Sequence, residues 1–180
     1  NTKKPSFVSE SKLKGDKEKI KKTANLISSS NKTVIIVGAG IKYNSKYKEI
    51  IKLAEFCNLP IVTAAGHGDA IPFNHKLHAG QMGPRGNPVA SRLVKEANVI
   101  LAIGTRLGFN STFYSYENIN KKAKIIHIEL EKKMLGKYFP IKIGIHADAA
   151  TATKQIYEQI KKNKIEIDVK NWTNLYLKER

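Results

Sequence analysis

The sequence has little cysteine, arginine or acid and no long apolar run, and each scarcity excludes something. A single cysteine, Cys57, rules out an internal disulfide framework and a cysteine-only zinc site, and favours a reducing, cytoplasmic setting. The apolar runs are short, Val34–Val37 and Val99–Ile103, far below the roughly 20 residues of a membrane span. The segment Asn1-Thr-Lys-Lys-Pro5 holds no apolar signal-peptide core, and neither end carries a lipid-anchor motif, so no membrane partner is expected. Acids number 15 against 32 lysines and arginines, a formal charge of +17. Such a balance can mark nucleic-acid binding. Yet only Arg85, Arg92, Arg106 and Arg180 are arginines, and the lysines lie scattered without a nucleic-acid motif. The charge therefore reads as a solvated lysine surface, with no nucleic-acid partner. What is present, 180 residues at 41% hydrophobic and 26% charged, suits one folded domain.

Periodicity lays out the chain. Residues 1–15 are polar and lysine-rich and read as a linker. Asp16 offers a helix cap ahead of Ile20, Thr23, Ala24 and Ile27 at helical spacing. Val34–Val37 is a buried strand entering a tight Gly38-Ala39-Gly40 turn. A helix is expected over Asn44–Cys57, with Tyr47, Ile50, Ile51 and Ala54 on one face, and a strand over Pro60–Thr63. Ala64–Gly86, rich in glycine, reads as a long irregular loop, a type that is often functional. Then follow a helix over Pro88–Ala97, strands Val99–Ile103, Lys124–Ile128 and Ile141–Ile145, and a helix from the Asp148 cap to about Lys162. Residues 163–180 read as a linker toward a further domain, with room for a helix over Asp168–Arg180 that carries Trp172, Leu175 and Tyr176. Aliphatic strands between amphipathic helices predict an α/β fold of three layers, αβα, around a mostly parallel sheet of five to six strands.

The chemistry-bearing segments lie where these strands end. Gly38-Ala39-Gly40 would let backbone amides approach an anionic or planar ligand, or would simply make a tight turn. A standard nicotinamide fingerprint is missing, because Tyr43 stands at the third glycine and Thr63-Ala64-Ala65 replaces the acid after the second strand. Gly104-Thr105-Arg106 follows the strongest strand, with Arg106 either a fork for phosphate or carboxylate or a surface residue closing a turn. Glu129 could accept from a ribose or begin a helix with Glu131, and Asp148 reads first as a helix cap. His75 and His78 have no ligand partner at metal spacing, so no metal site is expected. His127, flanked by aliphatic residues, reads as a satisfied core or sheet-face histidine. Gly68-Asp69-Ala70 and Asn98 only faintly imitate a magnesium-diphosphate motif, since Asn98 precedes its strand and would lie at the opposite end of the sheet. No acid–base or nucleophile constellation emerges, so no catalytic residue is assigned.

In order along residues 16 to 162, Asn31–Gly40, Leu59–Thr63, Gly68–Pro72 with His75 and Leu77, Gly80–Gly86, Ala97–Arg106, Ala123–Ile128 and Asp148 resemble the central domain of thiamin-diphosphate-dependent enzymes of the acetolactate synthase type. The resemblance implies a Rossmann-like, FAD/NAD-binding-like central domain over 16–162. It also implies flanking thiamin-binding domains, which would hold thiamin diphosphate and magnesium, and a homodimeric or homotetrameric parent. This chain would be an excised middle domain, not catalytic alone. In that family the domain holds FAD, ADP or no nucleotide. Carried over by motif, the contacts are Gly38, Ala39, Gly40, Met82, Gly83, Pro84, Arg85, Gly104, Thr105, Arg106, Glu129 and Asp148. The synthase pattern after the arginine, an aromatic, paired aspartates and a further arginine, is replaced by Leu107-Gly-Phe-Asn-Ser-Thr112. That stretch, with His67–Pro72, is closer to sulfoacetaldehyde acetyltransferase. A stand-alone nucleotide-binding module is the alternative of another class.

Overall fold

The computed structural model describes residues 12–42 and 46–179. Tyr43, Asn44 and Arg180 lie outside them, as does most of the expected N-terminal linker. Helix α1 (Lys17–Ser28) opens at Asp16, whose carboxylate accepts from the Lys19 amide at 2.9 Å, and buries Ile20, Thr23, Ala24 and Ile27. Strand β1 (Thr33–Val37), helix α2 (Tyr47–Cys57) and strand β2 (Ile61–Thr63) follow. Next come strand β3 (His78–Gln81), helix α3 (Pro88–Glu96) and strand β4 (Val99–Ile103). A single turn, α4 (Phe109–Thr112), precedes strand β5 (Lys124–Glu129), strand β6 (Ile143–His146), helix α5 (Ala149–Lys162) and helix α6 (Lys170–Leu177).

All six strands run parallel in the order β3-β2-β1-β4-β5-β6. This is the expected three-layer arrangement. Period-two alternation divides the core. Ile35, Val37, Leu101 and Ile103 face α1, α2 and α5, whereas Val34, Ile36, Ile100 and Ala102 face α3 and α6. Every residue of β1 and β4 is buried, which is why both read as unbroken aliphatic runs.

One expectation changes. The stretch Ala64–Gly86 is not one loop, for β3 pairs with β2 at the sheet edge through a register shift between Ile61 and Val62. Its sequence, His-Ala-Gly-Gln, has no β-branched residue to announce a strand, and Gly80 takes a φ of +105° that disguises it further. The C-terminal segment does form a helix, and α6 docks against α3. Thr173 Oγ1 donates to Asn58 O at 2.7 Å, Tyr176 donates to Glu96, and Arg92 lies over the Tyr176 ring. Among the described residues, no helix is long and apolar enough to cross a membrane.

Candidate functional site

Strands β1 and β4 are neighbours whose connections leave in opposite directions, the place where open parallel sheets form a ligand crevice. Here two glycine turns fill it. Gly40 N donates to Gly104 O at 3.0 Å, and Gly38 N donates to Ile103 O at 3.3 Å. A Cβ on Gly38 would stand 2.7 Å from Gly104 O, and one on Gly40 would stand 2.8 Å from Gly104 Cα. Gly104 itself has a φ of +56°. The glycines thus bring backbone against backbone, and the amides of Gly38 and Gly40 are spent on carbonyls rather than offered to a pyrophosphate.

Beyond this seam, Thr105 is buried, and its carbonyl accepts from His127 Nε2 at 2.8 Å. Nδ1 of the same ring accepts from Gly136 N at 3.3 Å, so a neutral His127 is satisfied at both nitrogens. Burial pushes its pKa below the ordinary value, against the opposing pull of the Thr105 carbonyl and Glu129. His127 is therefore the satisfied core histidine that the sequence predicts. Arg106 points outward and pairs with Glu131 at 3.2 Å, while Lys133 grips the other oxygen of Glu131 at 2.8 Å. Lys133, and after it Arg106, holds the Glu131 carboxyl below the usual range. Glu129 turns one oxygen back on the amides of Leu130 and Glu131, at 2.9 and 3.2 Å.

Asp148 caps α5, accepting from Thr151 N and Oγ1 at 3.0 Å each, and receives Lys46 Nζ at 2.6 Å. Burial raises its pKa, yet Lys46 and Thr151 together outweigh that and leave it below the usual value. Met82 is a core residue rather than a wall of the site, 1% exposed among Val62, Ala79 and Leu107.

The open space lies one strand over. A cleft of about 610 Å³ sits beyond the carboxyl ends of β2, β3 and β4. Ala65 and Gly66 form one wall, Gln81, Pro84 and Arg85 the second, and Asn110 with Phe113 the third. The walls are fixed locally. Gly86 N donates to Gly83 O, Asn87 N to Gln81 O, Ala65 N to Ser111 Oγ and Gly66 N to Gln81 Oε1. Gly83, at a φ of +102°, allows this turn to approach Asn110 O. Arg85 is exposed and makes no ion pair among the described residues. Of the residues expected from sequence, Pro84 and Arg85 line the cleft, Gly38, Gly40 and Gly104 form the seam, and Glu129 and Asp148 serve local turns. The Ala65, Gly66, Gln81, Asn110 and Phe113 walls escaped sequence reasoning. The replacement of the synthase pattern after Arg106 was the one signal pointing at Asn110 and Phe113.

The lining of the cleft, a guanidinium without an ion pair among the described residues, amide side chains and an aromatic wall, fits a phosphate-bearing planar ligand such as FAD or ADP. Thiamin diphosphate with magnesium does not fit. Asp69, after β2, is held by Lys42 at 2.8 Å, and Asn98 precedes β4 at the opposite end of the sheet. No three His, Cys, Asp or Glu side chains gather as a metal-binding group among the described residues.

Comparison with known proteins agrees with the topology. A family profile described as "Thiamine pyrophosphate enzyme, central domain" matches residues 20–156. A sulfoacetaldehyde acetyltransferase of Roseovarius nubinhibens is 33% identical over 87% of this chain and 26% of its own length. A probable acetolactate synthase large subunit of Methanococcus aeolicus is 30% identical over 81% of this chain and 24% of its own. The acetolactate synthase large subunit of Corynebacterium glutamicum is 29% identical over 88% and 25%. The chain therefore spans about a quarter of the length of these curated relatives. With its all-parallel sheet, glycine seam and matched span together, the chain belongs to the family of thiamine pyrophosphate enzyme central domains.

Proposed function

We propose that this chain is the bracing central domain of an acetolactate synthase-type enzyme, and that it holds an adenine nucleotide, FAD or ADP, in the cleft beyond β2, β3 and β4. In the parent, a 2-oxo acid is decarboxylated on thiamin diphosphate and its two-carbon unit passes to an acceptor. The flanking domains hold that cofactor and magnesium, in a cytoplasmic homodimer or homotetramer. Acetolactate synthases among the relatives support this reading. A second reading, the same domain of a sulfoacetaldehyde acetyltransferase, is favoured by the Gly104-Thr-Arg-Leu107 stretch and by the 33% identical relative.

The observation that carries nucleotide binding is Arg85, a guanidinium at the mouth of the cleft that makes no ion pair among the described residues. Arg106, already engaged by Glu131, is the weaker candidate. Titration calorimetry with FAD and with ADP tests this on wild type, Arg85→Ala and Arg106→Ala. Loss of a forked phosphate contact weakens binding about tenfold in Arg85→Ala, and Arg106→Ala stays close to wild type. Equal heats from wild type and Arg85→Ala would remove the cleft from the reading.

A further inference from the structure

The first wall of the cleft is a turn whose central amides find no backbone partner. Ala64 is still tied to the sheet, its amide donating to Val37 O at 2.8 Å, and His67 N donates to Ala64 O at 3.0 Å to close four residues. Gly66, third in that turn, has a φ of +80°, as a type II turn requires. The two amides between go to side chains from other walls. Ser111 Oγ accepts from Ala65 N at 2.9 Å, and Gln81 Oε1 accepts from Gly66 N at 3.1 Å.

These two acceptors differ in what else they can do. Gln81 lines the cleft and can touch whatever enters it. Ser111 is buried, 5% exposed, and α4 meets the cleft through its neighbour Asn110 instead. The core fixes Ser111 in turn. Leu107, 2% exposed, leads from β4 into α4 with its amide on Thr105 Oγ1 at 3.3 Å, and Thr112 Oγ1 lies 3.0 Å from the carbonyls of Leu107 and Gly108. Gly83 closes the remaining side, where a Cβ would stand 2.8 Å from Asn110 O and 3.2 Å from Ala65 Cβ. Each wall is thus held against the other two with no ligand present.

We propose that Ser111 is a positioning residue of this cleft, holding the Ala64–His67 turn through the Ala65 amide in the place that a bound nucleotide needs. This role rests on the nucleotide-binding reading of the cleft. Without the hydroxyl, a part-buried amide loses its acceptor and the turn is freed to leave its place. The cleft is then competent for only a fraction of the time. Nucleotide associates more slowly by that fraction, whereas a complex once formed keeps every contact to its ligand and dissociates as before.

The test has two arms. Amide exchange of the ligand-free chain, followed by NMR, should show Ala65 protected about a hundredfold in wild type. In Ser111→Ala that protection is lost while the amides of β1 and β4 keep theirs. Stopped-flow binding of methylanthraniloyl-ADP should then show association about fivefold slower in Ser111→Ala with dissociation unchanged, a split that general damage to the fold would not give. Arg85→Ala instead speeds dissociation, because it removes a contact. A wild type that ignores the analogue ends the nucleotide reading, and the exchange arm, which needs no ligand, still judges Ser111. The proposal is overturned if Ala65 exchanges freely in wild type, whatever the variant does. It is equally overturned if Ser111→Ala keeps the Ala65 protection, associates at the wild-type rate, or loses affinity through dissociation alone.

Discussion

Gly104 illustrates how much one missing methyl can decide. Its left-handed φ and the 2.9 Å between an added Cβ and Gly40 Cα act against any side chain. Gly104→Ala should therefore cost about 2 kcal/mol or more in urea unfolding, from backbone strain plus the clash, with no escape by rotamer change. His127 makes a different prediction. Its folded pKa lies below the ordinary 6.5, so between the two values the unfolded chain binds the extra proton. The stability tied to neutral His127 is complete above about pH 6.5 and drains away as the pH falls through the folded value. Stability measured by urea from pH 7.5 down to 5 should fall more steeply in wild type than in His127→Gln. Parallel profiles would show that the imidazole titrates alike folded and unfolded.

Among elements, the ones read from sequence were those with strong periodicity. The runs Thr33–Val37 and Val99–Ile103 are buried on both faces and so cannot be mistaken for anything but central strands or core. Caps at Asp16 and Asp148 were equally legible, because an acid just before an apolar-periodic stretch satisfies amides that the helix leaves unpaired. The edge strand β3 and the turn α4 were not, since their stability comes from partners distant in sequence: Ile61 and Thr63 for β3, and Ala65, whose amide donates to Ser111 Oγ, for α4. The candidate site suffered most from this. The motifs name both Arg85, which lines the cleft, and Gly38 and Gly40, whose amides only the fold shows to be engaged by carbonyls. Asp148 unites a cap with an ion pair between α5 and the start of α2. Asp148→Ala should cost about 2 kcal/mol or more, by removing the cap and leaving Lys46 without its carboxylate. Asp148→Asn, which keeps the cap, should recover part of that loss in the same unfolding measurement.

Across the whole molecule, the sheet is sealed on both sides and Cys57 lies inside the seal, between α2 and the core. Burial pushes its thiol up to about 12, so almost no thiolate exists at neutral pH. Reaction with Ellman's reagent should be negligible in the native protein, and in low denaturant its rate should follow global unfolding. Rapid labelling without denaturant would mean that α2 opens on its own.

That concealed thiol also makes the wild-type chain a convenient background for spectroscopy. A cysteine introduced at an exposed position such as Lys137 would be the single sulfur open to a maleimide dye or spin label. Distances and exchange at the labelled site could then be followed without first deleting the native residue and disturbing the packing around it.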